Sequence, residues 1–123
     1  LWTKQQRLPT LISPTIVVGE SGPELVLGSG GSNRIGSAIS QVILNTLSHN
    51  MDLGPAISAP RVHLEDNVLH HEVGIKIDKK SIKDKTIKIK RWGNLNLFFG
   101  GVNAVTKTAA EGDPRRGGVG IVY

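Results

Sequence analysis

The sequence predicts an α+β fold, and three observations lead to that prediction. Apolar, β-branched segments at residues 15–18 and 24–27 flank the turn sequence ESGP, which is typical of a β-hairpin. Apolar residues between positions 35 and 47 recur at the three- and four-residue spacing of an amphipathic helix. Short apolar segments separated by turn residues occupy much of the remaining chain, as expected for further strands.

The helix is the most strongly patterned element. It is predicted over residues 34–48, with Ser32 or Asn33 as its N-cap, because both side chains can accept from the first free amides. The glycine-rich segment at residues 28–33 (GSGGSN) directly precedes it and is predicted to be a loop between the second strand and the helix. Pro14 restricts Ser13 to an extended conformation, so the first strand is predicted to begin at Thr15.

The remaining elements are predicted from apolar patterning and turn residues. Residues 75–85 fit no single period and are left unassigned. In chain order, the predicted elements are a short helix at 52–59 capped by Asp52, strands at 61–64, 68–72 and 86–90, a buried strand, kink and second strand within 95–105, a turn at 113–118 and a closing strand at 119–123.

Composition excludes several classes of protein. The chain has 123 residues, enough for one domain, and no cysteine, which excludes disulfides, thiolate-bound zinc and thiol catalysis. No apolar run approaches the roughly 18 residues of a transmembrane helix, so no membrane partner is expected. The only methionine is Met51, so we expect a trimmed or matured chain, or the tail of a longer protein.

The positive charge is concentrated in one segment. Residues 76–91 hold eight of the fifteen basic residues and two acids, whereas the whole chain has a formal net charge of +5. Nucleic-acid binding is one interpretation of such a segment. We favour a strand with one solvated face, because lysines alternate with isoleucines and no aromatic residue is interleaved within residues 76–91, the first being Trp92 directly after them.

Three histidines near a predicted hairpin raise the question of a metal site. His70 and His71 are adjacent on a strand and should face opposite ways, so at most one can join His63. Two histidines with Glu65 or Glu72 match no established ligand spacing. We therefore expect ordinary strand histidines, and neither a metal nor a cofactor.

The glycine-rich segment is the strongest chemical signal from the residues alone. Glycines allow a sharp turn and the close approach of a ligand, and the free amides at a helix start favour an anion or a developing oxyanion. The segment lacks a P-loop lysine and does not match a dinucleotide fingerprint. A turn that merely packs the helix on the sheet remains the alternative, and no G-x-S-x-G motif marks a nucleophile.

Several motifs in the same order cover most of the chain, about residues 7–123. The set resembles the C-terminal part of γ-glutamyltransferases. The motifs are SPTIV at 13–17, GSGGSNRI at 28–35, QVILN at 41–45, APRVH at 59–63, FFGGV at 98–102 and DPRR at 113–116.

This resemblance implies an N-terminal nucleophile hydrolase fold, an αββα sandwich with mainly antiparallel strands, of which this chain is one domain spanning residues 1–123. It implies an amidohydrolase and acyltransferase that is made as a self-cleaving precursor. In that family the new N-terminal threonine of the small subunit attacks γ-glutamyl amides such as glutathione, and the acyl group then passes to water or an amino acid. The nucleophile and the acid that holds the substrate amino group should lie upstream of Leu1.

The resemblance also implies roles for individual residues. The family's oxyanion glycine pair falls on Gly31 and Ser32 without a gap, or on Gly30 and Gly31 after a shift of one, and backbone amides serve in either case. The serine pair that binds the donor's α-carboxylate is replaced here by Thr10 and Leu11. Thr10 can still donate a hydrogen bond and Leu11 cannot, which predicts a divergent relative with another preferred acyl donor.

The expected partners follow from the same resemblance. They are the rest of the precursor, namely the large subunit and the N-terminal part of the small subunit, and a small amide substrate. The isolated chain is expected to be inactive, and exposed apolar edges make its self-association plausible. A non-enzymatic binding module that holds an anionic ligand on the glycine-rich segment is the alternative function.

Overall fold

The computed structural model describes residues 4–5 and 11–123 and confirms the α+β class. The first sheet has the strand order β1-β2-β6-β7, all antiparallel. The second has the order β3-β4-β5, in which β3 and β4 are antiparallel and β4 and β5 parallel. The strands are β1 Thr15–Gly19, β2 Gly22–Gly30, β3 Val62–Glu65, β4 Val68–His71, β5 Lys88–Arg91, β6 Gly101–Val105 and β7 Ala110–Glu111.

The predicted helices are present, with differences at their ends. A 3₁₀ turn, Ser32–Arg34, leads into α1, Ile35–Ile43, which continues as a π-helical turn, Leu44–Ser48. Neither Ser32 nor Asn33 caps α1, because the 3₁₀ turn precedes it and places Arg34 at its N-cap without a side-chain bond. The second helix, α2, spans Leu53–Ser58, and Asp52 occupies its N-cap without a side-chain bond.

Besides the N-cap of α1, three predictions about strands are wrong. Strand β2 does not end at Leu27 but extends through Gly30, because β6 pairs with it as far as Gly101. The first half of 95–105 forms a 3₁₀ turn, Leu97–Phe99, instead of a strand. Residues 119–123 form no strand, and their apolar side chains at Val119, Ile121, Val122 and Tyr123 are exposed.

The hydrophobic core lies between α1, α2 and the first sheet. Leu25 and Leu27 point into it from alternate positions of β2, as the two-residue period of a strand requires. The apolar stripe of α1 covers them, and α2 and β6 complete the core. The other buried core residues are Ile35, Ala38, Ile39, Val42, Leu53, Ile57, Val102 and Ala104.

A buried charge network of Arg61, Glu72, Asp113 and Arg115 lies beside this core. Arg61 Nη2 donates to Asp113 Oδ2 at 2.7 Å, and Arg115 Nε donates to Glu72 Oε1 at 2.9 Å. Both guanidinium groups also donate to the carbonyl of Ile57, at 2.9 and 3.0 Å. The network therefore joins α2, Arg61 directly before β3 and Glu72 directly after β4 to the turn that begins at Asp113.

Neighbouring groups stabilise the ionised form of the Asp113 carboxyl group. Burial alone would raise the pKa of this carboxyl, but the Val102 amide and the Arg61 guanidinium together hold that pKa below its ordinary value. The Val102 amide donates to Asp113 Oδ2 at 2.8 Å, and the Arg115 amide donates to Oδ1 at 2.9 Å. Asp113 therefore fixes the start of β6 and the 3₁₀ turn Pro114–Arg116 in one position relative to each other.

Candidate active site at the glycine seam

Four glycines meet where β2 ends and β6 begins, and we call Gly30, Gly31, Gly100 and Gly101 the glycine seam. Gly30 pairs with Gly101 in the sheet, and Gly31 and Gly100 have φ values of +131° and +79°. A Cβ on Gly31 would lie 2.8 Å from the Cα of Gly100, and one on Gly100 would lie 2.9 Å from the Gly30 carbonyl oxygen. Both the backbone conformation and the close approach of the two chains therefore require glycine here.

Immediately after the seam, the chain turns into the helical segment. The Arg34 amide donates to the Gly31 carbonyl at 3.3 Å, which is the first bond of the 3₁₀ turn. The amides of Ser32 and Asn33 precede this first donor, and first-turn amides have no carbonyl partner within their own helix. Ser32 is exposed and has a φ of +58°. Backbone amides next to side-chain-free positions are the arrangement that an oxyanion requires.

Glu65 of β3 and Phe98 of the 3₁₀ turn Leu97–Phe99 hold the start of the helical segment in place. Asn33 Nδ2 donates to Glu65 Oε1 at 2.6 Å, and Arg34 Nη1 donates to Glu65 Oε2 at 3.3 Å. Arg34 Nε donates to the Phe98 carbonyl at 3.1 Å, and its guanidinium lies 4.6 Å from the centre of the Phe98 ring. The hydrogen bond from Asn33 is the main reason that the pKa of Glu65 lies below its ordinary value. The turn at Ser32 is thus anchored on its helical side.

Arg116 lies over the seam from the other side. Its Cζ is 3.4 Å from the position that a Cβ on Gly30 would take, and its Nη2 is 3.9 Å from the corresponding position on Gly31. The aliphatic part of the side chain lies against Gly101, where a Cβ would come within 2.3 Å of Arg116 Cδ. Sequence reasoning included Arg116 only as the last residue of the DPRR motif and gave it no role. The separation of 86 positions between Gly30 and Arg116 leaves no local signal for the contact.

The expected donor-pocket residues are only partly described. Thr10 lies outside the described residues. Leu11 is described and 60% exposed. Because Thr15 pairs with Leu27 in antiparallel β1 and β2, the chain before Thr15 approaches the end of β2 that carries Gly30.

The histidines lie in the second sheet rather than around the seam. His63 and His70 are cross-strand partners, and His63 is only 7% exposed. His63 Nδ1 is 2.7 Å from Ser37 Oγ, which ties β3 to α1. Burial lowers the pKa of both rings, so the neutral forms are favoured. Within residues 4–5 and 11–123, no group of three or more His, Cys, Asp or Glu side chains is placed to hold a metal ion.

The basic segment is solvated, and its lysines are mostly exposed. Residues 75–85 form turns, and β5 begins at Lys88, later than the predicted start at residue 86. Lys90 lies over the Trp92 ring at 4.6 Å, and Trp92 Nε1 donates to His70 Nδ1 at 3.2 Å. None of the helices in the described part of the chain is long and apolar enough to span a bilayer.

Comparison with known proteins places this geometry in a family. The family model for gamma-glutamyltranspeptidase matches residues 2–123. The chain belongs to the gamma-glutamyltranspeptidase family. The solved structure of the T380A mutant of Helicobacter pylori gamma-glutamyltranspeptidase has 32% sequence identity and a TM-score of 0.76, over 93% of this chain and 66% of that one. The two sheets and their helices therefore have the N-terminal nucleophile hydrolase fold.

Relatives with known names extend the comparison. The mouse glutathione hydrolase 5 proenzyme is 31% identical over 126 residues, which cover 96% of this chain and 22% of the relative. The acylase ACY 1 proenzyme of Pseudomonas sp. strain V22 is 37% identical over 70 residues, which cover 57% of this chain and 12% of the relative. The chain thus spans about a fifth of the length of this mouse glutathione hydrolase 5 proenzyme, although the match covers almost the whole chain.

Proposed function

We propose that this chain is the C-terminal part of an amidohydrolase and acyltransferase that cleaves γ-glutamyl or related amides through a threonine acyl-enzyme. The glycine seam carries this proposal. It presents the backbone of Gly30 and Gly31 without side chains, and that of Ser32, at the start of a helical segment, and the family is one of acyl-transfer enzymes. In this proposal the chain supplies the oxyanion loop and part of the donor pocket, and the nucleophile comes from the preceding part of the small subunit.

The chemistry follows from the needs of amide cleavage. The threonine hydroxyl, with its own α-amino group as base, adds to the substrate carbonyl, and the carbonyl electron pair moves onto oxygen. The amides of the Gly30–Gly31–Ser32 loop donate to that oxyanion without reorganising. Collapse of the tetrahedral intermediate breaks the C–N bond, and the amine leaves with the proton taken from threonine. Water or an amino-acid amine then takes the acyl group by the same steps.

In this proposal Thr10 and Leu11 take the two positions that bind the α-carboxylate of the acyl donor. A leucine cannot donate to a substrate carboxylate, which favours a relative with reduced preference for γ-glutamyl donors. The match to an acylase proenzyme over 57% of the chain is consistent with another acyl group. The large subunit and the first part of the small subunit are the proposed partners. The exposed apolar tail at 119–123 adds to the surface through which the isolated chain would self-associate.

One experiment tests the function directly. The complete protein and the 123-residue chain are purified, and release of the aromatic amine is measured from a γ-glutamyl anilide and from an uncharged acyl anilide. We expect turnover by the complete protein, with loss of activity when its N-terminal small-subunit threonine is replaced, and no turnover by the chain alone. Turnover by the chain alone, or a complete protein that cleaves neither anilide, would contradict the proposal.

A further inference from the structure

Among the residues that the structure describes, Arg116 is a cation without a protein counter-charge at the glycine seam. Within the described residues, its guanidinium takes part in no hydrogen bond and no ion pair, and the residue is exposed. Its position is nevertheless defined, because it lies against Gly30, Gly31 and Gly101. A Cβ on Gly30 would be in van der Waals contact with the Arg116 guanidinium, and a Cβ on Gly101 would collide with the aliphatic part of the Arg116 side chain.

Hydrogen bonds outside the seam fix the position of the backbone that carries Arg116. Asp113 accepts from the Arg115 amide at 2.9 Å and caps the 3₁₀ turn, and its carbonyl accepts from the Arg116 amide at 3.0 Å. Arg115 is itself held by Glu72 and by the carbonyls of Ile57 and Ala59, at 3.0 and 2.8 Å. The buried charge network therefore presents the next side chain along the chain, that of Arg116, to the seam.

We propose that Arg116 binds an anionic oxygen of the substrate at the glycine seam, an inference that rests on the proposed function. An unpaired guanidinium can donate two parallel hydrogen bonds to an anionic oxygen pair or one charge-assisted bond to a single oxygen. Two substrate groups have this chemistry: the oxyanion of the tetrahedral intermediate and a carboxylate of the acyl donor. Arg116 Nη2 lies 3.9 Å from the Cβ position of Gly31, beside the backbone against which the reacting carbonyl is proposed to lie.

The test compares Arg116→Gln and Arg116→Lys with a matched control, Arg91→Gln, in the complete protein. Arg91 is an exposed arginine of β5 in the other sheet, so its replacement removes the same charge elsewhere. Kinetics are measured with an anilide donor that carries a free carboxylate and with its methyl ester. Binding of a phosphonate, in which a tetrahedral P–O⁻ replaces the reacting carbonyl, is measured by calorimetry and needs no turnover.

We expect Arg116→Gln to weaken phosphonate or carboxylate-donor binding about 10- to 100-fold, the effect of losing one charge-assisted bond. Arg116→Lys should retain part of the function, added guanidinium should partly rescue Arg116→Gln, and Arg91→Gln should match the wild type. If the oxyanion is the ligand, kcat falls for both donors and phosphonate binding weakens. If the donor carboxylate is the ligand, KM rises only for the donor with a free carboxylate.

The outcomes separate this inference from the proposed function. A complete protein that binds the phosphonate through Arg116 but cleaves no amide would contradict the proposed function and support the anion site. Normal turnover with equal phosphonate binding and equal kinetics in wild type and Arg116→Gln would overturn the anion site alone. A wild-type protein that binds no phosphonate and does not discriminate between the two donors would also overturn the anion site. So would a loss of activity in Arg116→Gln that is fully explained by a lowered melting temperature.

Discussion

Two adjacent arginines, Arg115 in the buried charge network and Arg116 over the glycine seam, have opposite surroundings. Arg115 is buried and donates to two carboxylates and two carbonyls. Arg116, the next residue, is exposed, lies on glycines and has no counter-charge among the described residues. The comparison shows that one short turn separates a charge that stabilises the fold from a charge that remains available to a ligand.

The difference has an energetic basis. A charge removed from water is destabilising unless its partners replace the lost hydration, and each network member has such partners. Removal of one member leaves another charge buried and unpaired. At the seam, by contrast, the fold depends on the backbone conformation of the glycines and not on side chains. Substitutions of neighbouring side chains should therefore change activity more than stability, whereas replacing a glycine that has a positive φ should also destabilise the fold.

The largest expected effect comes from the network. Asp113→Asn should lower the free energy of unfolding by about 3–5 kcal/mol, because Arg61 and Arg115 lose a buried counter-charge. Asp66→Asn, at an exposed aspartate in the turn between β3 and β4, is the matched control and should change stability by less than about 0.5 kcal/mol. Denaturant unfolding of both variants measures this. Equal stabilities for the two variants would show that the network contributes little.

The stability difference between the wild type and Asp113→Asn should depend on pH. The folded-state pKa of Asp113 lies below its ordinary 3.8. The stability that the ionised carboxylate provides is therefore complete above pH 3.8 and is lost as the pH falls through the lowered folded-state pKa. The stability gap between wild type and Asp113→Asn should narrow in that acid range. A constant gap would mean that the charge of Asp113 is not its source.

The next effect concerns the donor pocket. Leu11→Ser in the complete protein introduces a hydrogen-bond donor near the Gly30 end of β2. The added hydrogen bond should strengthen the binding of γ-glutamyl donors by about 1.5–3 kcal/mol. We expect kcat/KM to rise for the γ-glutamyl anilide and to stay constant for an uncharged acyl anilide. Leu11→Ala is the control that removes the leucine without adding a hydroxyl. If all three proteins cleave the γ-glutamyl anilide equally well, position 11 does not contact the donor carboxylate.

A smaller effect, on stability, is expected at the seam itself. Gly31→Ala forces a residue with a side chain into a φ of +131° and against the Cα of Gly100, which should cost about 1–3 kcal/mol. Gly36→Ala, in α1 with open space around it, should instead stabilise the protein by up to about 1 kcal/mol through helix propensity. Thermal unfolding distinguishes the two. Stabilisation by both alanines would show that the seam tolerates a side chain.

Local patterning was sufficient to predict the hairpin and the long helix, since both bury one face at a regular period. It failed at residues 97–99, where the Asn96 side chain accepts from the Phe98 amide and starts a 3₁₀ turn. Phe98 then stacks with Trp92 at 4.8 Å, a contact that strand patterning does not reveal.

The candidate site was only half visible in the sequence. The glycine-rich segment points to residues 30–32 as a candidate site. For their partners Gly100 and Gly101, however, apolar patterning predicts only a kink in a strand. The charge network was invisible because its members lie far apart, 52 positions for Arg61 and Asp113 and 43 for Glu72 and Arg115. Conversely, the apolar side chains of residues 119–123 are exposed, so apolarity alone predicts a strand where no strand of the described part of the chain pairs with them.

The claim that the Gly30–Gly31–Ser32 loop acts through backbone amides is tested most directly by comparing Ser32→Ala with Ser32→Pro in the complete protein. Alanine removes only the hydroxyl, and proline removes the amide donor. We expect Ser32→Ala to keep nearly full kcat and Ser32→Pro to lose on the order of 10²–10³ in kcat, the effect of one oxyanion donor. Melting temperatures measured alongside separate this loss from unfolding. Equal activity of the two variants at unchanged stability would contradict the claim.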